Sequence, residues 1–488
     1  MKIRQRLWSS FMLCWIVVFY AQAQQSSSLA NKLDQVTTQF AQYNKFGGVV
    51  LVSKGDKIIY QKSFGQANQS WQQANTLDTR FQIGSVTKSF TALLVLQQVA
   101  QGKIELNQTI DHYFPDYPKE VAQKITVHHL LSHTSGMPHY RAFKNYRKTL
   151  LPLEYSKQAY VDKFKNKPLR FEPGKRFGYS SFGYYLLGII LEKVTQKTYN
   201  QLLQENIFNP AQMTHSSMDD GFIKTKQATA YRYNFNQGKY AHAEYRHPST
   251  SYSTGGIFST ARDLFRFQRH LLQGKLLPSK YQQLLFKVNK APYGYGWLIY
   301  EFKDSQGKTT KMIHHNGAVS GYTANLRLFP KQGYSIVILS NTRGYKSGYL
   351  PVYITRVLYG KEVSITAPLW GDVYTKAYQK GAQAAIDFYN QQKKSSPNKY
   401  NFEDSDIMHR VAYRLNQRPQ IARQIFEFNI QLFPQKASVV EDMARFYQRT
   451  NNPQKAIEFY KKCIAMEPTE KRKKVLEALN KRHRLEKD

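Results

Sequence analysis

Strand-like runs stand at two widely separated places in this 488-residue chain, with helical patterns between them. Near the start, Gly47 to Val52 and Lys57 to Gln61 are β-branched and apolar, and Lys54-Gly55-Asp56 supplies a turn. The stretch from Phe46 to Gly65 therefore reads as a β-hairpin. Much later the pattern is strand-like again at Tyr295 to Phe302, Thr310 to His314, Ala324 to Phe329 and Tyr334 to Leu339. An isolated hairpin is marginal in water, so the early strands need the late ones. The arrangement predicts one antiparallel sheet whose first and last strands meet, covered by the helices between them.

Within the intervening helices, Ser85-Val86-Thr87-Lys88 stands where a glycine-ended run (Phe81 to Gly84) gives way to apolar residues at spacings of three to five, from Val86 to Ile104. Residues i and i+3 share a helix face, so the Lys88 amine can lie beside the Ser85 hydroxyl and take its proton once burial lowers the lysine pKa. The bland alternative is a helix-capping serine beside a solvated lysine. The same tetrapeptide spacing at Ser305 to Lys308 and Ser396 to Lys399 lies in polar, turn-like surroundings.

Two further segments carry chemistry. In Lys175 to Ser181, Tyr179 sits in a polar turn before a second apolar helix pattern; a phenol there can shuttle protons, and a neighbouring ammonium would favour its ionised form. After a strand-like run come His314-His315-Asn316-Gly317-Ala318, where a glycine lets substrate approach the backbone and leaves the next amide as an oxyanion donor. His129 and His133 are four apart, but no acidic third ligand accompanies them, so no metal is expected. Neither a Gly-x-Ser-x-Gly elbow nor a Gly-x-x-x-x-Gly-Lys-Ser/Thr loop is present, and no organic cofactor is expected.

The order Ser-x-x-Lys, Tyr-x-Ser, His-x-Gly resembles the serine β-lactamase and penicillin-binding-protein superfamily, closest to its branch of class C β-lactamases, D-alanyl-D-alanine carboxypeptidases and esterases. Leu130 to Gly136 and Tyr293-Gly294-Tyr295-Gly296-Trp297 add to the likeness, which covers Gly47 to Asn341. The resemblance implies an α/β fold, an antiparallel sheet flanked by helices with a helical subdomain. It implies Ser85 as acylated nucleophile, Lys88 and Tyr179 as a coupled proton-transfer unit, Ser181, His315 and Gly317 against the substrate, and the amides of Ser85 and Ala318 as oxyanion hole. Two positions depart from the strongest family pattern: Ser181 replaces an asparagine, and His315 replaces a lysine. Both weaken the expectation of β-lactamase action while leaving acyl transfer intact. The expected function is an exported serine hydrolase acting on a small ester, D-amino peptide or amide; the alternative is a catalytically weak ligand-binding protein of the same fold.

Beyond about Pro368 the composition turns to helices rich in Ala, Gln, Lys and Tyr. Pro419, Ala422, Phe426, Ile430 and Pro434 recur 34 residues on as Pro453, Ala456, Tyr460, Ile464 and Pro468. This all-α tail, residues 370–488, resembles tetratricopeptide repeats, which implies a protein partner or self-association. The hydrolase domain is expected over residues 30–365. Residues 1–23 read as a secretory signal: Lys2, Arg4 and Arg6, an apolar run to Tyr20, then Ala21-Gln22-Ala23. An uncleaved anchor is the alternative. Cleavage after Ala23 would place the protein in the periplasm with Cys463 alone, so without an internal disulfide. The net charge of +37 favours anionic envelope polymers, and export disfavours nucleic acid.

Overall fold

A computed structural model describes residues 28–304, 306–343 and 348–485. The leader-like residues 1–23, and Ser305 of the second Ser-x-x-Lys match, lie outside the described residues. The chain divides into two compact units, residues 1–232 with 242–363, and residues 233–241 with 364–488.

The first unit is built on a six-stranded antiparallel sheet: β1 (Gly48–Lys54), β2 (Lys57–Phe64), β3 (Leu298–Lys303), β4 (Thr309–Val319), β5 (Tyr322–Phe329) and β6 (Tyr334–Ser340), in the order β3-β4-β5-β6-β1-β2. The first and last strands meet as the sequence implies, Gly48 opposite Ser340 and Lys54 opposite Tyr334. Gly55 at φ 58° makes the tight turn of the first hairpin. All of β1 except Lys54 is buried, which requires cover on both faces. One cover includes helix α1 (residues 28–44), whose Phe40 packs edge-on to Phe46 at 6.3 Å and to Tyr353 at 6.0 Å.

The helical part centres on α2 (Thr87–Ala100), α3 (Val127–Leu131), α4 (Ser181–Thr195), α5 (Tyr252–Gly255) and α6 (Ala261–Leu272). In α6, Leu264, Phe267 and Leu271 form the apolar stripe and Thr260 caps the N-terminus by accepting from the Asp263 amide. Phe267 stacks on Phe90 of α2 at 4.0 Å, tying sheet-side and interior helices together. Eleven of the 14 residues of α2 and eleven of the 15 of α4 are buried, so these two helices are the middle of the core rather than its amphipathic skin.

Three expected elements differ in detail. α2 runs for 14 residues and ends at Ala100, short of the apolar pattern that continues to Ile104, and Ser85 sits ahead of it in a 3₁₀ turn, Gly84–Val86. β3 begins at Leu298, later than expected, because the preceding loop folds onto α2: Ser89 Oγ donates to the Gly296 carbonyl at 2.6 Å, and Gly296 is at φ 74°. β4 runs on to Val319, so the His-Asn-Gly-Ala segment lies inside a strand rather than just past one.

The second unit consists of α7 (Leu369–Lys380), α8 (Ala382–Ser395), α9 (Asp406–Arg414), α10 (Pro419–Leu432), α11 (Ala437–Arg449), α12 (Pro453–Met466) and α13 (Glu470–Leu485). α10 and α12 begin at the two repeated prolines, and Ala422 and Ala456, at matching positions, are fully buried. Residues 233–241 belong to this unit: Tyr374 donates to the Asn236 side chain at 2.7 Å and Thr375 to the Phe235 carbonyl at 2.9 Å. No sequence signal marks that segment. Among the described residues, no helix is long and apolar enough to cross a membrane.

Candidate active site

The site is set by how a turn meets a strand edge. The short strand Phe81–Gln82 pairs with Ile257–Ser259, and this pairing lodges the Gly84–Val86 turn beside α5. β3 pairs only with residues 309–314 of β4, so the edge of β4 from His315 onward is left open towards that turn. The two backbones approach too closely for side chains. A Cβ on Gly317 would lie 1.8 Å from the Ile83 carbonyl oxygen and 3.2 Å from the Ser85 amide nitrogen. A Cβ on Gly84, at φ 53°, would lie 2.8 Å from the Ala318 nitrogen. The glycine pair thus brings together the two amides the resemblance assigns to an oxyanion hole.

Lys88, on the first turn of α2, is fully buried; its Nζ lies 3.3 Å from Ser85 Oγ and donates to the Thr254 carbonyl of α5 at 2.8 Å. Burial pushes its pKa well below the usual lysine value, and the Arg246 guanidinium pushes it the same way. The amine is therefore poised to be neutral, with a lone pair for the serine proton. Tyr179 lines the same cleft as Ser85, and its ring centroid lies 5.4 Å from Lys88 Nζ. Burial raises the Tyr179 pKa above its ordinary value, outweighing the opposite effect of Ser85. Against the expectation that a neighbouring ammonium would favour the phenolate, the same low-dielectric surroundings favour the neutral form of both groups.

The loop carrying Tyr179 is held from two sides. His133, just beyond the end of α3 at φ 55°, accepts the Gly178 amide on its carbonyl at 2.8 Å and the Ser180 amide on Nδ1 at 3.3 Å. With Nδ1 accepting, the imidazole is neutral and its proton sits on Nε2. Arg170 Nη2 donates to the carbonyls of Gly178 at 2.6 Å and Tyr179 at 3.3 Å. His129 and His133 therefore do not share a helical face, and His133 is a support for the tyrosine loop.

Ser181, the first residue of α4, is buried, and its Oγ lies 3.4 Å from His139 Nε2. Where the family pattern has an asparagine, a hydroxyl and an imidazole together face the cleft. His315 is buried on β4; its Nδ1 lies 2.8 Å from the Asn316 carbonyl and its Nε2 3.2 Å from the Tyr293 hydroxyl. A carbonyl can only accept, so Nδ1 carries the proton and Nε2 accepts from Tyr293. Burial lowers both histidines to a pKa of about 3, so each is neutral at pH 7.

Ser85, Tyr179, Ser181, His315, Gly317 and Ala318 line one cleft of about 650 Å³, joined by His139, Tyr140, Arg141, Arg170 and Tyr293. Lys88 lies beneath, at the serine. Sequence reasoning missed His139, which no motif marks, and the Thr254 carbonyl, which only the fold brings to Lys88. Tyr293 was visible in the Tyr-Gly-Tyr-Gly-Trp segment, but its partner His315 is brought to it only by the pairing of β3 with β4. Among the described residues no cluster of potential metal ligands occurs.

A serine beside a buried lysine at the head of a buried helix, facing an open strand edge, is the arrangement that the resemblance to β-lactamases and penicillin-binding proteins implies. The β-lactamase family model matches residues 33–354, and the chain belongs to that family. It is similar to a penicillin-binding protein of Bacillus subtilis (strain 168), 27% identical over 337 residues that cover 64% of this chain and 72% of that protein. The crystal structure of a penicillin binding protein from Bacillus halodurans aligns with TM-score 0.58 and 28% identity, over 66% of this chain and 98% of that one. In fold it is also similar to a D-amino acid amidase from Ochrobactrum anthropi SV3, with TM-score 0.59 and 24% identity, over 68% of this chain and 97% of that one.

Proposed function

We propose that the protein is a serine hydrolase that forms an acyl-enzyme at Ser85 on a small ester, D-amino peptide or amide. The observation that carries this reading is the buried Lys88 amine 3.3 Å from Ser85 Oγ, its pKa pushed well below the usual lysine value. In the proposed sequence Ser85 Oγ attacks the substrate carbonyl while its proton passes to Lys88. The oxyanion is held by the amides of Ser85 and Ala318, a contribution of about 3 kcal/mol per donor in comparable sites. Tyr179 then donates its phenolic proton to the departing oxygen or nitrogen and regains one from Lys88. Water attacks the acyl-enzyme in the reverse order of proton transfers, restoring free Ser85.

Neutral His315, in place of a lysine, offers no fixed positive charge to a substrate carboxylate at that end of the cleft. This favours esters and amides over β-lactams as substrates. The test is intact mass after exposure to a serine-reactive phosphonate and, separately, a penicillin, with Ser85→Ala as control. A phosphonate adduct absent from Ser85→Ala is expected. No adduct would shift the reading to a ligand-binding protein in which Ser181 has replaced a needed amide. Export to the periplasm, and a protein partner or self-association through residues 370–488, are also proposed. They rest on the leader-like first 23 residues and on the 34-residue period, and are tested by N-terminal sequencing of fractionated protein and by the oligomeric state of the full chain.

A further inference from the structure

A second hollow, of about 130 Å³, continues the active-site cleft past Ala318 and shares Tyr140, Arg141 and Ala318 with it. Five arginines line it: Arg141, Arg147, Arg232, Arg246 and Arg343, against a single carboxylate, Glu244. Arg141 and Arg147 come from one stretch, and Arg232, Arg246 and Arg343 from three others in the first unit, so the cluster is assembled by the fold. Glu244 is shared, lying 3.7 Å from Arg147 and 3.4 Å from Arg232. Among the described residues, Arg141 and Arg343 have no acidic partner within ion-pair distance. Arg343 is moreover the direct register partner of Arg232 on adjacent parallel strands, a placement in which like charges repel. Arg246 is fixed, with Nε donating to Thr250 Oγ1 at 3.2 Å and Nη2 to the Thr250 carbonyl at 2.5 Å, while its guanidinium lies over the Tyr140 ring at 5.3 Å.

We infer that this arginine-lined hollow is a substrate subsite for an anionic group, a carboxylate or phosphate, carried by the molecule whose carbonyl reacts at Ser85. Planar guanidinium forks suit both anions; Arg141, Arg147, Arg232 and Arg343 are exposed and Arg246 is half-buried, so the charge lies at the mouth of a hollow contiguous with the nucleophile, where an arriving substrate meets it. The charge is also positioned to act on the chemistry, since Arg246 lowers the pKa of Lys88. An anion seated beside Arg246 offsets that field. The selectivity that His315 fails to supply at one end of the β4 edge is thereby supplied at the other.

The inference rests on the acyl-enzyme reading, and its test separates the two. The full chain is assayed with a matched set of p-nitrophenyl esters: hydrogen glutarate, neutral valerate, and an ester ending in a phosphonate. The expected result is a kcat/KM for one or both anionic esters more than threefold above that for the valerate. The ratio falls at least threefold in Arg141→Gln/Arg343→Gln, and it also falls in high salt. The ester preferred tells carboxylate from phosphate chemistry. A ratio of three or less, or one unmoved by the double substitution, overturns the subsite even if valerate turnover depends on Ser85. If no ester is turned over, the acyl-enzyme reading fails, and the subsite is judged by calorimetric titration of glutarate and inorganic phosphate. Binding to the full chain that weakens at least fivefold in Arg141→Gln/Arg343→Gln sustains an anion site, and unchanged or absent binding overturns it.

Discussion

Replacing Gly317 by alanine adds one methyl group at the point where β4 meets the Ser85 turn. That methyl would lie 1.8 Å from the Ile83 carbonyl oxygen and 2.9 Å from its carbon. Side-chain carbons essentially never come within about 3.0 Å of a backbone oxygen, so strand and turn must separate by roughly 1.2 Å. Both sides are backbone, in a paired strand and at the head of a buried helix, so no flexible side chain absorbs the shift. Overpacking of this kind costs about 1–3 kcal/mol of stability, which a core of this size tolerates. The same displacement moves the Ala318 amide from the Ser85 amide. Misplacement by about 1 Å, or loss of one oxyanion donor, lowers kcat on the order of 10²- to 10³-fold. The assay is ester turnover with the rate of phosphonate labelling, alongside a thermal melt. Gly348→Ala, where an added methyl meets nothing within 4 Å, is the control. A folded Gly317→Ala protein with kcat within threefold of the parent would refute the assignment of this contact to the oxyanion hole.

Other perturbations test separate links. Lys88 has a folded pKa below its unfolded value, so the unfolded chain holds the extra proton at neutral pH and stability rises with pH over that range. The stability of the parent relative to Lys88→Met should therefore improve between pH 6 and pH 9 in chemical denaturation, with turnover abolished throughout; a pH-independent difference would mean Lys88 is charged in the fold. His315 and His139, held neutral at a pKa of about 3, leave the unfolded chain to bind protons first as pH falls below 6.5. Stability should decline from there towards pH 3, and His315→Gln should flatten that decline in urea midpoints. Tyr293→Phe removes the donor to buried His315 Nε2 and should cost about 1–3 kcal/mol, read by denaturant melts. In the second unit, Ala422→Leu and Ala456→Leu each overpack a fully buried site and should each cost about 1–3 kcal/mol by the same measurement.

The sheet and its closing strand pair were legible because β-branched runs and glycine turns are local signals, and a sheet with a hydrophobic face needs its strands in one place. The helix pattern after Gly84 was legible for the same reason, and so were the repeated prolines that open α10 and α12. The electrostatics of the site were not. Whether Lys88 and Tyr179 are charged depends on what surrounds them, and that surrounding is α5, His133 and Arg246, contributed by distant parts of the chain. Spacing alone suggests that an ammonium would favour the Tyr179 phenolate, whereas burial raises the tyrosine pKa and lowers that of Lys88. His139 was invisible because its meaning comes only from Ser181, 42 residues away, at 3.4 Å.

Ser181 and His315, the two departures from the family pattern, have a common physical sense once their partners are known. In each, a group with fixed donors is replaced by a neutral imidazole or hydroxyl whose role is set by a neighbour, His139 for one and Tyr293 for the other. The cleft floor is thereby left without cationic charge at the His315 end, while burial lowers the pKa of Lys88. Charge is instead concentrated beyond Ala318, in the arginine cluster. Substrate attraction and proton transfer thus use different groups: the guanidinium groups can draw in an anion without sharing the proton that Ser85, Lys88 and Tyr179 exchange, while Arg246 acts on Lys88 through its field. In a site that recognised carboxylate through a lysine at position 315, that added positive charge would lie on the same buried floor as Lys88 and depress its pKa further. Moving the charge to the far end of the β4 edge leaves a weaker field at Lys88, of which Arg246 is the named source.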